Sequence, residues 1–513
     1  MTESGLTDQR RIITALLDAR RYPHPARTVK LVETHVSWVL LAGRYAYKIK
    51  KAVHPGFLDF TTLATRLHCC NEEIRLNRRT APSIYIDVVP VGGSFDDPAM
   101  GSLPALEYAV RMKRFSSGNT LDRLAARGKL LPVHLDLLAA KIASFHEDLP
   151  PAGIDSGYGA DMLEIARASF DELRKFLDDV LSDLEKRVCD EYAACADCFP
   201  ERLKQGFVRE CHGDLHLGNI ALVGGSPIPF DGIEFDPKLR WIDVMNEMAF
   251  PVMDLLFHGY PGLACRFLNA YLERTGDYGG MKGFRFHLAC RAVVRAMVDA
   301  MGGDESSCRR HLALAAEILS KRRRFLIVTH GLPGSGKTTW AQAALERLGA
   351  IRIRSDVERK RLAGLPSGAR SHFGIASGIY SAEASRATYS RLLDLAQEVL
   401  SSGFPVIVDA AFLISGERRR FRDLAQNLSV PFAIASLKPP RSSLEERILA
   451  RRDDASEADL AVLDALEASS EPLRPEECDR VVQFSCMRDE KTWERLEQGL
   501  GLKQAPGSPS HRA

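Results

Sequence analysis

The eight residues Gly331-Leu332-Pro333-Gly334-Ser335-Gly336-Lys337-Thr338 constrain this chain more than any other stretch, because of what flanks them. Phe325-Leu326-Ile327-Val328 before them is a buried-strand pattern, and Trp340, Ala341, Ala344, Leu345 and Leu348 after them fall at helical spacing. A strand that turns through glycines into a helix points backbone N–H groups inward at an anion, and the helix N-terminus adds partial positive charge. The pattern predicts a phosphate cradle in a parallel-sheet α/β domain. Gly331, Gly334, Ser335, Gly336, Lys337, Thr338 and Thr339 hold a nucleotide there, with Lys337 neutralising the β- and γ-phosphates and Thr338 ligating Mg2+.

Three features follow in the order that such a site needs. Ile351-Arg352-Ile353-Arg354-Ser355-Asp356 reads as a second strand ending in a carboxylate, where Asp356 orients or deprotonates an acceptor hydroxyl and Arg359 holds an anionic group. Val406-Ile407-Val408-Asp409 reads as a third buried strand with Asp409 at its tip, suited to the Mg2+ shell; the plainer reading of both acids is helix N-capping. Arg447 and Arg451 share a helix face by their i, i+4 spacing, and with Arg452 they are placed for a lid that brings guanidinium groups onto a transferring phosphoryl.

A second constellation lies earlier. In His212-Gly213-Asp214-Leu215-His216-Leu217-Gly218-Asn219 a carboxylate and an amide are five residues apart, so one short loop can set Asp214 on an acceptor hydroxyl and Asn219 on a metal. Beyond the turn Gly224-Gly225, Ile228-Pro229-Phe230-Asp231 reads as a strand that returns a further acid over that loop. His216 reads as a group positioning the loop. Upstream, the alternations Val36 to Leu41 and Tyr45 to Ile49 around Gly43 predict a β-hairpin, and Leu67, Cys70 and Ile74 predict a helix from 64 to 79.

At 513 residues the chain is too long for one ordinary core. We read an N-terminal helical extension (1–27), a first domain (28–320), a second domain (321–500) and a disordered tail (501–513). The boundary falls near 320, at the run Lys321-Arg322-Arg323-Arg324, read as a solvated linker or helix end before the Phe325 strand. The apolar spacing from 161 to 205 predicts a pair of helices covering the first site. Lys+Arg of 69 against Asp+Glu of 67 advertises no polyanion-binding surface, so a nucleic-acid partner is possible but not favoured. Eleven scattered cysteines and the lack of a long apolar run predict a cytoplasmic protein with no membrane association, and Cys195-Ala196-Asp197-Cys198 lacks the second pair that a zinc site needs.

The first domain resembles the aminoglycoside phosphotransferase and choline kinase type, a bilobal relative of the protein kinases. In that resemblance Lys48 matches the strand lysine that pairs the ATP phosphates, Glu73 its helix partner, Asp214 the catalytic base, and Asn219 and Asp231 the metal ligands. It departs from the pattern in having no glycine-rich loop before Lys48, and Lys50 competes with Lys48 as Glu234 does with Asp231. The stretch from about 325 to 485 resembles the P-loop small-molecule kinases related to gluconate kinase, the polynucleotide 5′-kinases and the zeta-type toxins. The order of the two domains resembles the bacterial family described as bifunctional aminoglycoside phosphotransferase/ATP-binding proteins. The fold class implied is α/β and α+β: a protein-kinase-like domain followed by a P-loop NTPase parallel-sheet domain. The resemblance further implies ATP and Mg2+ as cofactors and small hydroxylated molecules as acceptors. The alternatives are an N-terminal half that binds ATP only to regulate the other, and a 5′-end kinase or zeta-toxin-like activity of the second half.

Overall fold

The computed structural model describes residues 3–54, 59–154, 156, 162–177, 181–320, 323–366, 381–450, 460–484 and 489–502. The expectations for Arg451, Arg452 and the tail from 503 onward lie outside the described residues. In chain order the elements begin with α1 (Glu3–Ala15), β1 (Val29–Glu33), β2 (Ser37–Ala42), β3 (Tyr45–Lys50), α2 (Leu63–Asn77), β4 (Tyr85–Gly93), β5 (Pro98–Met100) and β6 (Ala105–Lys113). Next come α3 (Leu121–Ala126), α4 (Pro132–Asp148), α5 (Met162–Leu173), α6 (Leu181–Cys195), α7 (Cys198–Lys204), β7 (Val208–Glu210), β8 (Ile220–Val223), β9 (Ser226–Pro229), β10 (Trp241–Asp243) and α8 (Val244–Phe257). Then follow α9 (Pro261–Thr275), α10 (Met281–Met301), α11 (Glu305–Ser320), β11 (Leu326–His330), α12 (Lys337–Leu348), β12 (Ile351–Arg354), α13 (Ser355–Leu362) and α14 (Ala382–Ser401). The chain ends through β13 (Val406–Asp409), α15 (Ser415–Asn427), β14 (Phe432–Leu437), α16 (Arg441–Ala450), α17 (Leu460–Ala468), β15 (Val481–Phe484) and α18 (Glu490–Gly499).

By internal contacts these elements form two compact units. One comprises Met1–Lys175, Phe199–His258 and Cys290–Met297, the other Phe176–Cys198, Gly259–Ala289 and Val298–Ala513.

The first unit opens on an antiparallel sheet of order β1-β2-β3-β6-β4-β5. Gly43, at φ 57°, turns the β2–β3 hairpin with Ala42 opposite Tyr45. Alternation along β3 sends Tyr47 and Ile49 to one face, where Ile12 and Ile13 of α1 and Leu16 just after it pack against them with Trp38 and Leu40. Burial of such side chains stabilises by about 1.5–3 kcal/mol each. The opposite face takes Ala46, against which Cys70 and Ile74 of α2 pack, so Lys48 and Lys50 point toward α2 as well. In the helical lobe α8 is buried along almost its whole length. Its start is fixed by Asp243, which caps the Met245 N–H and is gripped by Arg202.

The second unit is a parallel five-stranded sheet of order β12-β13-β11-β14-β15. All five residues of β11 are buried, as a central strand covered on both faces requires. On one face Trp340 of α12 stacks on Trp493 of α18, ring centroids 5.6 Å apart. The strand β12 lies at the edge and is covered by side chains from α9: Asn269 Oδ1 accepts the Arg352 N–H (2.6 Å) and its Nδ2 donates to Ala350 O (3.0 Å). Tyr278 donates to Arg352 O at 3.3 Å, which blunts the remaining edge.

One helix expectation is corrected. The region 161–205 forms three helices, not a pair, and the apolar set divides: Phe170 and Leu173 lie in α5 of the first unit, Leu181, Leu184 and Val188 in α6 of the second. The physical reason is that helical spacing reports which face is apolar but not what covers it.

Candidate active sites

In the first unit the strand β3 and the helix α2 build a charged cluster. Lys48 Nζ donates to Glu73 Oε1 at 3.0 Å and to Asp231, while Lys50 Nζ donates to Glu73 Oε2 at 2.7 Å and to Glu234. Glu73 is fully buried and serves both lysines. The pairs differ in where they lie: the Asp231 side chain is 38% exposed, whereas Lys50 and Glu234 are 1% and 8% exposed. Lys48 and Asp231 therefore face the opening, and Lys50 and Glu234 fill the interior. Burial opposes charge on Lys48, yet Asp231 and Glu73 hold its ammonium protonated well above the usual lysine range. Burial likewise opposes charge on Asp231, and Lys48 brings that carboxyl below its ordinary value.

The loop from His212 to Asn219 is fixed from below by α8. Glu247 takes the His212 and Gly213 N–H groups on its two oxygens (2.7 and 2.8 Å), and Asp254, two turns on, takes the Leu217 N–H (2.8 Å). Burial opposes the Glu247 charge, but His146, with Nε2 3.6 Å from Oε1, and the field and N–H of His212 bring its carboxyl down to about 2. At Gly213, φ 86°, a Cβ would meet Leu239 O at 2.8 Å, so only glycine fits the turn. Asn219 Nδ2 donates to Asp214 Oδ2 (2.9 Å) and to Asp214 O (3.0 Å), which leaves its carbonyl oxygen as the end suited to a cation. His216 Nδ1 accepts the Gly218 N–H (3.1 Å) and its Nε2 lies 3.6 Å from Asp214 Oδ2, the placement of a loop-positioning group. The hairpin β8–β9 then carries the chain from Asn219 to Asp231, and the Phe230 N–H donates back to Asn219 O (2.9 Å). Asp231 stands at φ 62°, an uncommon conformation for a residue with a side chain, with its N–H on Tyr85 Oη (3.1 Å).

Among the described residues, His146, Cys211 and Glu247 form a close cluster of potential metal ligands. Both Glu247 oxygens are occupied by backbone donors, and burial pushes the Cys211 thiol well above its ordinary range, so the cluster suits loop anchoring and not a metal. Cys195 and Cys198 are buried, and the Cys195 thiol donates to Glu191 O at 3.2 Å.

In the second unit the phosphate cradle has the predicted context: β11, the loop, then α12 with Gly336 as its N-cap at φ 90°. A Cβ at Gly331 would stand 2.5 Å from Leu437 O and one at Gly334 2.9 Å from Leu444 O, so close backbone approach explains both glycines. Lys337 Nζ donates to Gly331 O (2.9 Å) and Leu332 O (2.8 Å). Beside it lies a cavity of about 750 Å3 lined by Gly334, Gly336, Lys337, Thr338, Thr339, Arg354, Asp356, Arg359, Asp409 and Arg447. The strand β12 stops at Arg354, two residues before the end the sequence predicted, so Asp356 stands in the first turn of α13 and not at a strand tip. The N-cap of α13 is Arg354 and α15 begins only at Ser415, so neither Asp356 nor Asp409 is a helix cap.

The donor set at Asp409 fits a divalent ion. The residue is 5% exposed; the nearby Thr338 hydroxyl favours its charge, while its Oδ2 accepts no hydrogen bond among the described residues. Burial pushes this carboxyl above its ordinary range against the opposing fields of Arg354, Arg352 and Lys337. A hard cation beside Thr338 supplies the missing charge complement.

Several contributors were not legible as such. Glu247 and Asp254 read as ordinary residues of an apolar helix, and only their seven-residue spacing, two turns on one face, hinted at a shared target. Glu273, which grips both arginines of β12, gave no signal.

A P-loop ahead of α12 in a parallel-sheet unit and, in the other unit, an ordered Lys, Glu, Asp, Asn and Asp set make up a chain of mixed α/β fold. The AAA domain family matches residues 326–473. The "Uncharacterized protein Rv2004c" of Mycobacterium tuberculosis (strain ATCC 25618 / H37Rv) is 32% identical over 452 residues, covering 85% of this chain and 89% of its own, and the chain belongs to its family. Mb2027c of Mycobacterium bovis (strain ATCC BAA-935 / AF2122/97) matches to the same extent. Similar solved structures include a choline/ethanolamine kinase family protein from Mesorhizobium loti (12% identity, 62% of this chain and 95% of that chain, TM-score 0.39). An aminoglycoside phosphotransferase, APH(2")-IIIa, as its GDP and kanamycin complex, covers 61% of this chain and 98% of its own (14% identity, TM-score 0.39). Chaetomium thermophilum Kti12 with ADP-AlF3 covers 34% of this chain and 96% of its own (22% identity, TM-score 0.27).

Proposed function

We propose that the chain is a tandem phosphotransferase, each unit moving the γ-phosphate of ATP to a hydroxyl group of a small molecule. The observation that supports this reading is that each unit gathers its own lysine and carboxylates, Lys48, Glu73 and Asp231 in the first, and Lys337, Asp356 and Asp409 around the cavity of the second. In the first unit Lys48, held by Glu73, binds phosphate oxygens, Asp214 takes the acceptor proton, and Asn219 and Asp231 face the metal. Lys50 and Glu234 are the buried pair that fixes Glu73, and the more open Lys48 and Asp231 take the ligand-facing roles. In the second unit Lys337 and the N–H groups of the loop bind phosphates, Thr338 and Asp409 hold the metal, and Asp356 orients the acceptor hydroxyl. Arg359 and Arg447 add positive charge around the cavity, and the family resemblance adds Arg451 and Arg452 from the lid. When bound, Mg2+ supplies charge neutralisation of the phosphates.

Among the described residues no helix is long and apolar enough to cross a membrane.

The test is a phosphorylation screen against a metabolite library, run in parallel on the intact chain, Asp214→Asn and Lys337→Ala. Loss of the general base lowers transfer by the first unit about 10²–10⁴-fold while nucleotide binding persists. Products that vanish with Asp214→Asn belong to the first unit, and those lost with Lys337→Ala to the second. Survival of every product in the Asp214→Asn protein removes catalysis from the first unit and leaves it as a nucleotide-binding regulator.

A further inference from the structure

Arg354 and Asp409 are direct partners across the parallel pair β12–β13. Opposite charges so placed ordinarily close into a charge-assisted hydrogen bond of about 2.7–2.9 Å. Here they do not: Arg354 Nε lies 3.7 Å from Asp409 Oδ2. The guanidinium is turned the other way, with Nη1 2.7 Å from Glu273 Oε1 on α9. The second Glu273 oxygen takes Nη2 of Arg352 at 2.8 Å. Arg352 and Arg354 are two residues apart on one strand and so share a face, which lets a single carboxylate bridge them. Burial opposes the Glu273 charge, but Arg354 and Arg352 hold its carboxyl below the ordinary range, so it is an anion at neutral pH.

We propose that Glu273 is a positioning residue that holds Arg354 off Asp409 and so keeps the Asp409 Oδ2 atom open to a divalent cation. The proposal rests on the reading of Thr338 and Asp409 as the metal-facing pair. Remove Glu273, and Asp409, 3.7 Å away, is an anion within reach of Arg354; closing the gap of about an ångström neutralises Asp409 and occupies its open oxygen. Residues that orient a metal ligand in this way typically change metal affinity about 10- to 100-fold when altered. The helix that supplies Glu273 lies some sixty residues before the phosphate cradle in the chain, yet packs in the same compact unit.

The experiment titrates MgCl2 into the full-length chain with a fluorescent ADP analogue, taking as signal the binding that Lys337→Ala abolishes. Glu273→Ala is expected to raise the Mg2+ concentration at half-saturation about 10- to 100-fold and to leave ADP affinity in EDTA unchanged within about threefold. The double variant Glu273→Ala/Arg354→Ala returns the Mg2+ requirement toward that of the unaltered chain, because the competing guanidinium is gone. A role confined to holding α9 in place predicts no such rescue, and an unrescued double variant overturns the proposal, as does a Glu273→Ala protein with unchanged Mg2+ dependence. Glu273→Gln, which keeps shape and one acceptor oxygen, gives a smaller shift in the same direction and serves if the alanine variant does not fold; no shift there counts against the proposal equally. If binding to the unaltered chain shows no Mg2+ dependence at all, the reading of Thr338 and Asp409 falls, and this role for Glu273 falls with it.

Discussion

The two lysines that face the two phosphate sites are held by opposite kinds of partner. Lys337 is tied to backbone carbonyls five and six residues behind it, so the loop that presents it also restrains it. Lys48 is tied to carboxylates 25 and 183 residues away, and Glu73 between Lys48 and Lys50 makes the whole cluster depend on the packing of α2 against β3. A site written into one loop survives changes elsewhere in the fold. A site assembled from distant charges is part of what holds its fold together, because removing one member strands the others in low dielectric.

The largest expected effect breaks that comparison directly. Glu73→Ala leaves Lys50, 1% exposed, and Lys48 without their shared anion, a loss of about 3–5 kcal/mol. Lys337→Ala removes only one of the several positive charges around Asp409, and the carbonyls it leaves belong to Gly331 and Leu332, which line a second open pocket, so its cost is about 1 kcal/mol. At about 2–4 °C per kcal/mol for a unit of this size, calorimetry on the intact chain should show one transition fall by about 10 °C in Glu73→Ala. Lys337→Ala should leave the transitions in place while abolishing nucleotide binding at its own site. Equal falls for the two variants would erase the distinction.

The same contrast governs what could be read in advance. The cradle from Gly331 to Thr338, the strand β13 ending at Asp409 and the Asp214–Asn219 loop were legible, since local spacing fixes local geometry. Alternation correctly put Lys48 and Lys50 on one face, but no pattern in β3 could tell which partner each takes; only burial separates the open Lys48–Asp231 pair from the interior Lys50–Glu234 pair. Glu247 and Glu273 were invisible for a related reason. An acid on an apolar helix looks the same in sequence whether it meets solvent, a loop's N–H groups or two arginines. The composition change after residue 320 marks where a new sheet begins, yet α9 and its neighbours pack with that sheet, because an edge strand's need for cover leaves no trace in its own residues.

A smaller effect sharpens the comparison through pH, since the two units carry buried carboxyls shifted in opposite directions. Glu247 is held at about 2 against an ordinary 4.5, so its contribution is complete above about pH 4.5 and is lost as pH falls toward 2. The shift corresponds to roughly 3 kcal/mol at 1.36 kcal/mol per unit. Asp409 is raised by burial, so its protonated form favours the folded state: that contribution is present below the usual carboxylate range and fades as pH rises through the folded value. Acid titration followed by hydrogen exchange should therefore loosen the loop around His212 and Gly213 first, with the end of β13 retained. Glu247→Gln should weaken the loop at pH 7 and flatten its acid dependence. A loop equally protected at pH 3 and pH 7 contradicts this assignment.

The smallest effect concerns the covered edge. Asn269→Ala removes the acceptor of the Arg352 N–H in β12 and one of two donors to the carbonyl of Ala350 just before the strand, where the Cys265 thiol still donates at 3.2 Å. Leaving such groups unpaired costs about 1–3 kcal/mol, partly relieved if water enters beside the shortened side chain. The change touches no group placed in the phosphate cradle, so nucleotide binding at Lys337 should persist. Exchange of the Arg352 amide should accelerate while β11, central in the sheet and bonded on both sides, stays protected. If the whole sheet exchanges faster together, β12 and its cover are part of the unit's cooperative core, and the P-loop site then depends on distant residues as heavily as the kinase-like site does. If only Arg352 responds, the edge is a local appendage and the contrast between the two sites stands.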